Sequence, residues 1–227
     1  LIGMDVSAGF PFQDFGAYFP GVDDAPANAR GLWALVEHLS RNEAYLAATG
    51  FVDDAQFAPY FRRHGGRTGA MFGQGGGRLR VVERHQRATR QARSASNFNL
   101  VGAGQVGKAS LSAMRLFHRL EGIIPIWPFD PVPASGPMIV ELYTSVAARA
   151  AGIPAHRSKI RDAETLRSAL DRLNVPACDE GALDDHATDA LVTAAWLSAA
   201  SERETLWHPP LLTSDIAATE GWTFGII

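Results

Sequence analysis

Aspartates at the start of one long apolar segment are the residues whose types and spacing most clearly suggest chemistry. Asp185 and Asp189 are four positions apart, and alanine, leucine, valine and tryptophan dominate the residues that follow. A helix here places both carboxylates on one face, with Cβ atoms roughly 5–6 Å apart. The like charges repel each other unless a cation, a base or solvent compensates them. Asp184 or Asp185 could instead cap the helix, where aspartate is favoured, but capping explains Asp189 less well.

Two further acids lie on strands where a hydrophobic core does not favour charge. Asp5 is near the end of a short apolar strand predicted over residues 1–6, and α/β folds place ligand-binding groups at such strand ends. An aspartate that accepts hydrogen bonds from turn amides is the alternative. Glu141 is the lone acid of an apolar strand predicted over residues 138–143. A buried carboxylate is costly without a partner or a metal, so both acids are candidates for a functional site.

These carboxylates together suggest a metal site. Acids without histidine or cysteine partners suit a hard cation that prefers oxygen ligands, Mg²⁺ or Mn²⁺, rather than zinc. We therefore predict that Asp5, Glu141, Asp185 and Asp189 are metal ligands and catalytic residues. Two such ions about 3.5–4 Å apart would activate a water and stabilise the leaving oxygen in phosphodiester cleavage.

The composition of the chain is that of a globular protein. Its 227 residues are 46% hydrophobic and 20% charged, which fits one large domain. The single cysteine, Cys178, excludes an internal disulfide framework and a cysteine-rich metal site. No apolar run reaches the length of a membrane span and no signal peptide is visible. We therefore expect no membrane partner and a cytoplasmic location.

Hydrophobic periodicity predicts the elements that must position these acids. We expect strands over residues 1–6, 123–127, 138–143 and 220–227, and helices over residues 29–49, 108–120, 163–173 and from 184 onward. Strands that alternate with helices indicate the α/β class.

A basic segment from Arg62 to Arg93 interrupts this pattern. It contains nine arginines against one acid, Glu83, with a glycine-rich centre at residues 73–77. We predict a flexible insertion with few core residues, whose arginines could contact the phosphate backbone of a nucleic acid. The alternative is a solvated loop whose arginines pair with the protein's own acids.

Three glycines offer a second kind of ligand site. Gly102, Gly104 and Gly107 match the pattern G-x-G-x-x-G ahead of a predicted helix. A dinucleotide site needs a good strand before this pattern and an acid about 20 residues after it. The lead-in is short and polar, and Asp130 lies in a proline-rich turn. The match is weak, and it keeps a dinucleotide-binding oxidoreductase as an alternative function.

Three segments, in order along most of the chain, resemble the motifs of the DUF429 family. Residues 1–11 are similar to an IDxPxGxP strand, residues 140–145 to an ExxP strand, and residues 184–191 to a DDxxDAL helix. The last is also similar to the final helix of RuvC-type Holliday-junction resolvases. The family is grouped with predicted nucleases of the ribonuclease H-like fold. The resemblance therefore implies a single ribonuclease H-like domain over residues 1–227, with a mixed sheet flanked by helices and a metal-dependent nuclease activity.

The resemblance also assigns a role to Lys159. With Arg161 it stands where the family carries a basic element, which implies that it neutralises phosphates at the catalytic site. The chain departs from the family at residues 144–145, where threonine and serine replace the usual proline. It also lacks a strand ahead of the first motif, so either such a strand precedes this sequence or Asp5 takes the role of its acid. A chain without that acid would be a non-catalytic domain, for which we expect Glu141→Gln to raise stability by relieving buried charge.

Overall fold

Three short strands surrounded by helices form the structure. The computed structural model describes residues 1–91, 94–102, 105–154, 160–176 and 184–227. Its strands and α-helices are, in chain order, β1 Ile2–Met4, α1 Ala29–Ser40, α2 Thr49–Asp53, α3 Val81–Ala88, α4 Gly107–Leu120, β2 Ile126–Trp127, β3 Ile139–Glu141, α5 Thr144–Ala150, α6 Ala163–Arg172, α7 Asp185–Ala200, α8 Glu204–Trp207 and α9 Ser214–Thr219. Single 3₁₀ turns lie at Ala44–Leu46, Ala58–Tyr60 and His64–Gly66.

The strands form one parallel sheet in the order β1-β3-β2. Ile2 pairs with Ile139, and Met4 with Glu141, which brings the carboxyl ends of β1 and β3 side by side. The predicted α/β class is confirmed. The mixed strand directions that we expected are not found among the described residues, where all three strands are parallel. The expected strand over residues 220–227 is also wrong, because this stretch is irregular.

Hydrophobic side chains cover the sheet on both faces. Ile126 and Ile139 belong to an aromatic-rich cluster with α1 and α4. Trp127 and Val140 belong to a second cluster with α5, α6 and α7. Neighbouring side chains of a strand point to opposite faces, which explains the division. The sheet thus separates two helical layers, with α1 packed on α4 and α5 packed on α7.

The basic segment contributes to the core, contrary to the prediction of an insertion with few core residues. It contains α3, and Arg78, Arg80 and Glu83 are buried. The guanidinium of Arg78 binds both carboxylate oxygens of Asp14 at 2.8 and 2.6 Å. It also donates to three main-chain carbonyls within residues 11–18. At these positions the arginines pair with acids and carbonyls of their own chain, as the alternative predicted, but they are buried and not part of a solvated loop. Arg93 lies outside the described residues.

Helix α7 begins where the sequence predicted it. The carboxylate of Asp184 accepts a hydrogen bond from the Ala187 N–H at 2.7 Å, so the capping interpretation is confirmed for this residue. The apolar sequence predicted a buried helix, but only one side is buried, and Ala190, Leu191 and Ala194 are exposed. In the part of the chain that the structure describes, no helix combines the length and apolarity that a membrane span requires.

Candidate functional site

A groove of about 640 Å³ runs between α7 and β1. Its border follows α7 from His186 to Ser201, about 22 Å at the rise of an α-helix. On the opposite side it is bordered by Leu1, Gly3 and Asp5. Since β1 is an edge strand of the described sheet, the groove has the shape of an open trough that an extended ligand could occupy.

Asp5 and Asp189 both border this groove. Asp5 directly follows β1 and is exposed, and Asp189 is partly exposed one turn into α7. The groove therefore brings together two of the four predicted acids, one from a strand end and one from the helix beside it, and Asp5 also borders a small cleft with Glu141. Asp185, the first residue of α7, is not among the described residues that border the groove. Lys159 lies outside the described residues.

Glu141 has a different environment from the groove acids. Its side chain is 2% exposed, and its position two residues after Ile139 directs it to the α1–α4 face of the sheet. The two oxygens accept hydrogen bonds from Arg80 at 2.8 and 2.6 Å, from the Ala8 N–H at 2.8 Å and from the Thr223 hydroxyl at 2.6 Å. These four bonds use the acceptor capacity of the carboxylate. Arg80 thus balances the negative charge of Glu141, for which the sequence predicted a metal ion, and an ion at Glu141 would have to displace Arg80.

Arg80 also holds a second buried acid. Its Nε donates to Glu83 at 2.8 Å, and its main-chain N–H donates to the other Glu83 oxygen at 2.6 Å. Burial would lower the pKa of Arg80, but the charges of Glu141 and Glu83 raise it above its ordinary value. Burial raises the pKa of Glu83, and the charge of Glu141 adds to this effect. One guanidinium therefore balances the charge of two buried carboxylates.

The residues that follow Asp5 are fixed by long-range hydrogen bonds. The Ser7 N–H donates to the hydroxyl of Ser110 in α4 at 2.9 Å. The Ala8 carbonyl accepts a hydrogen bond from the indole N–H of Trp33 at 2.6 Å, and the Ala8 N–H donates to the carboxylate of Glu141. This loop therefore has a defined path, and Asp5 is held at the end of the groove by the buried groups behind it.

His186 and Thr193 are polar groove residues that were not singled out as site residues from the sequence. His186 is exposed beside the acidic end, and Thr193 is 7% exposed in the middle of α7. The Thr193 hydroxyl has no hydrogen-bond partner among the described residues. Thr193 lies four positions after Asp189 and so on the same face of the helix. That spacing was a signal available in the sequence, and a buried hydroxyl without a partner indicates a place for a ligand or water.

The glycine pattern lacks the setting of a dinucleotide site. Residues 94–102 form no strand, and contain only an isolated bridge at Asn99. Gly107 begins α4, and a Cβ there would lie 2.3 Å from the carbonyl oxygen of Asn97, so close packing explains this glycine. Gly104 lies outside the described residues. The described backbone thus does not provide the strand-turn-helix unit that dinucleotide binding requires.

The acids of the groove suit a particular kind of metal site. Among the described residues, no group of three or more His, Cys, Asp or Glu side chains is arranged to hold an ion. Mg²⁺ usually keeps several waters and is held by one or two carboxylates together with substrate phosphates. Asp5 and Asp189 fit that smaller set of ligands.

Comparisons of the chain with protein-family models, with curated proteins and with solved structures find no match. The resemblance to the DUF429 family therefore rests on the three sequence motifs. The function has to be argued from the groove itself.

Proposed function

We propose that the groove binds a nucleic-acid strand and that Asp5 and Asp189 hold Mg²⁺ or Mn²⁺ for hydrolysis of a phosphodiester bond. The observation that carries this proposal is that two carboxylates, one after β1 and one on α7, border the same groove. The ribonuclease H-like nuclease implied by the sequence motifs agrees with it. Glu141 and Asp185, which we also predicted as ligands, do not border the groove. In this proposal Glu141 supports the loop that carries Asp5, and Asp185 contributes negative charge one helical turn from Asp189.

The charge of the groove favours a cation between the protein and a phosphate. None of the described residues that border the groove is lysine or arginine. A phosphodiester placed beside Asp5 and Asp189 would therefore be repelled by both carboxylates. A bound divalent ion supplies charge neutralisation and an activated water. Lys159 keeps its proposed role of neutralising phosphates.

The residues around the acids have separate tasks in this proposal. Thr193 donates a hydrogen bond to an oxygen of the strand, which gives its buried hydroxyl a partner. His186, exposed at the acidic end, exchanges a proton with the leaving group or water. Arg80 and Glu141 position the loop that carries Asp5 and do not contact the ion. Nucleic-acid contacts from the remaining exposed arginines of the basic segment and a cytoplasmic location stay predictions.

Calorimetric titration with Mg²⁺ and Mn²⁺ tests the proposed ligands directly. We expect binding to the wild type and its loss in Asp5→Asn and Asp189→Asn. The matched control is Asp171→Asn, since Asp171 is an exposed acid on α6 and does not border the groove. Asp185→Asn should also retain binding, although more weakly, because the lost charge is one helical turn away.

Cleavage of labelled single-stranded and double-stranded oligonucleotides, followed in Mn²⁺, tests the activity. We expect cleavage by the wild type and by Asp171→Asn, weaker cleavage by Asp185→Asn, and none by Asp5→Asn or Asp189→Asn. Equal metal binding in all variants would refute the site. Metal binding without cleavage of DNA or RNA would refute the nuclease and leave the non-catalytic domain as the better account.

A further inference from the structure

A second cavity, of about 400 Å³, lies between α2, the 3₁₀ turn at His64–Gly66 and the first turn of α4. We call it the cationic cavity, because Arg63, Arg67 and Lys108 border it against one described acid, Asp53. Arg63 pairs with Asp53 at 2.8 Å. Arg67 and Lys108 then give the cavity an excess of positive charge. Its volume is within the range of small-molecule sites.

Lys108 is held at the border by a neighbouring imidazole. Its Nζ lies 2.6 Å from Nε2 of His64. An ammonium group can only donate, so the imidazole accepts through Nε2. The contact places the ammonium beside the first turn of α4, a helix of 14 residues, where the helix dipole also favours an anion.

Tyr45 adds an aromatic ring to the same border. Its side chain is 100% exposed, and both Tyr45 and Leu46 adopt left-handed backbone angles, with φ of 54° and 57°. Such angles are unfavourable for residues with a side chain. The buried guanidinium of Arg115 holds the turn by donating to the carbonyls of Glu43 and Ala47 on either side of it. The protein thus maintains a strained turn that keeps one flat ring in solvent.

We propose that the cationic cavity binds a nucleotide, with the phosphate against Arg67 and Lys108 and the base stacked on Tyr45. Aromatic side chains beside a basic groove are the means by which proteins hold single nucleotides of a strand. A free nucleotide and one nucleotide of a strand share this chemistry. Where the nucleotide belongs to a strand, the inference rests on the proposed function.

Fluorescence anisotropy of a labelled oligothymidylate, titrated with the full chain in EDTA, tests this inference without any divalent ion. We expect Tyr45→Ala to weaken binding about tenfold through lost stacking. Lys108→Ala and Arg67→Ala should each lower the slope of log K against log salt by about 0.7, the value for one phosphate contact of a single strand. Arg172→Ala is the matched control, because Arg172 is an exposed arginine on α6, outside both the basic segment and the cavity. It should change affinity by less than about twofold.

Competition distinguishes the two sources of the nucleotide. Thymidine monophosphate should displace the oligonucleotide at far lower concentration than inorganic phosphate does. Binding of the mononucleotide without binding of the oligonucleotide would support the cavity and identify a free nucleotide as its ligand. An Arg172→Ala effect as large as that of Lys108→Ala would overturn the proposal. Unchanged oligonucleotide affinity in Tyr45→Ala, or equal competition by inorganic phosphate, would overturn it as well. Because EDTA removes metal, these outcomes are independent of whether the groove hydrolyses phosphodiesters.

Discussion

Arg80 binds Glu141 through two parallel hydrogen bonds, from Nη1 to Oε2 at 2.8 Å and from Nη2 to Oε1 at 2.6 Å. Both side chains are buried, and this bidentate geometry is the strongest form of an arginine–carboxylate contact. The pair joins the basic segment to the end of β3 and to the loop after Asp5. It therefore determines where one of the proposed metal ligands lies.

The variant Glu141→Gln tests the role of this pair. We expect it to lower the free energy of unfolding by about 3 kcal/mol, because Arg80 would be left buried with one of its charged partners removed. This is the opposite of the increase in stability that the sequence led us to expect for Glu141→Gln in a non-catalytic domain. Urea denaturation measures the change. Glu121→Gln is a suitable control, since Glu121 pairs with the partly exposed Arg30, and the loss should stay below about 1 kcal/mol. Unchanged or increased stability of Glu141→Gln would contradict the structural role.

The variant Glu83→Gln should change how stability depends on pH. Burial raises the pKa of Glu83 above its ordinary value of 4.5, and Glu141 adds to this against the opposing effect of Arg80. The folded protein therefore takes up this proton more readily than the unfolded chain. Stability then decreases as the pH rises from about 4.5 through the folded-state pKa, and is constant above it. The Glu83→Gln variant has no carboxyl group at this position and should not show this decrease in stability.

Thermal unfolding of both proteins from pH 4.5 to pH 7 measures the effect of Glu83. The difference in Tm, variant minus wild type, should increase with pH. Other titrating groups, such as Glu37, whose pKa is lowered by Arg115 and Arg119 against the effect of burial, cancel in the difference. A difference that is flat or decreases with pH would show that Glu83 is fully compensated by Arg80.

The helices could be predicted because their signals are local. Apolar spacing indicates α1, α6 and α7, and in the structure Asn28 and Asp162 accept the capping hydrogen bonds of the first two helices. The end of α1 could not be predicted from such signals. The sequence indicated a helix to residue 49, but α1 ends at Ser40. The following turn is held by Arg115, a contact across 68 to 72 positions of the chain.

The candidate site was predictable to the same extent. Asp5 and Asp189 follow from the position of an acid at a strand end and at a helix start. The surroundings of Glu141 do not, because its partner Arg80 is 61 positions away. The same applies to Arg78, whose acid Asp14 is 64 positions away. A run of arginines shows positive charge, but only the folded chain shows which of them the core requires.

The titration of Tyr143 should report the charge at Asp5. Burial raises the pKa of Tyr143, and the carboxylate of Asp5 raises it further, because a nearby negative charge disfavours the phenolate. Asp5→Asn should therefore lower the pKa of Tyr143. A divalent ion bound by Asp5 should lower it in the wild type and have no effect in the variant.

Ultraviolet absorbance of the phenolate measures this titration with and without Ca²⁺, a hard cation with oxygen ligands that stays dissolved at the alkaline pH required. The variant Tyr143→Phe identifies which component of the curve belongs to Tyr143. If Asp5→Asn lowers the pKa but Ca²⁺ leaves the pKa of the wild type unchanged, no divalent ion binds at Asp5, and the proposed metal site is refuted without reference to catalysis.

The hydroxyl of Thr193 should lower the stability of the free protein and strengthen the binding of a ligand in the groove. It is buried beside the groove without a described partner, so Thr193→Val should raise the free energy of unfolding of the free protein by about 1 kcal/mol. The same substitution should weaken oligonucleotide binding in Mn²⁺ several-fold, since the strand loses a hydrogen bond.

Thr188→Val provides the matched control on the same helix. The buried hydroxyl of Thr188 donates to the Asp184 carbonyl at 3.0 Å, so its removal should lower the free energy of unfolding by about 1 kcal/mol. Urea denaturation of the two variants should therefore give changes of opposite sign. If Thr193→Val lowers the free energy of unfolding as much as Thr188→Val does, the Thr193 hydroxyl already has a partner in the folded protein. It would then not be available to a strand in the groove, and the role proposed for Thr193 would be wrong.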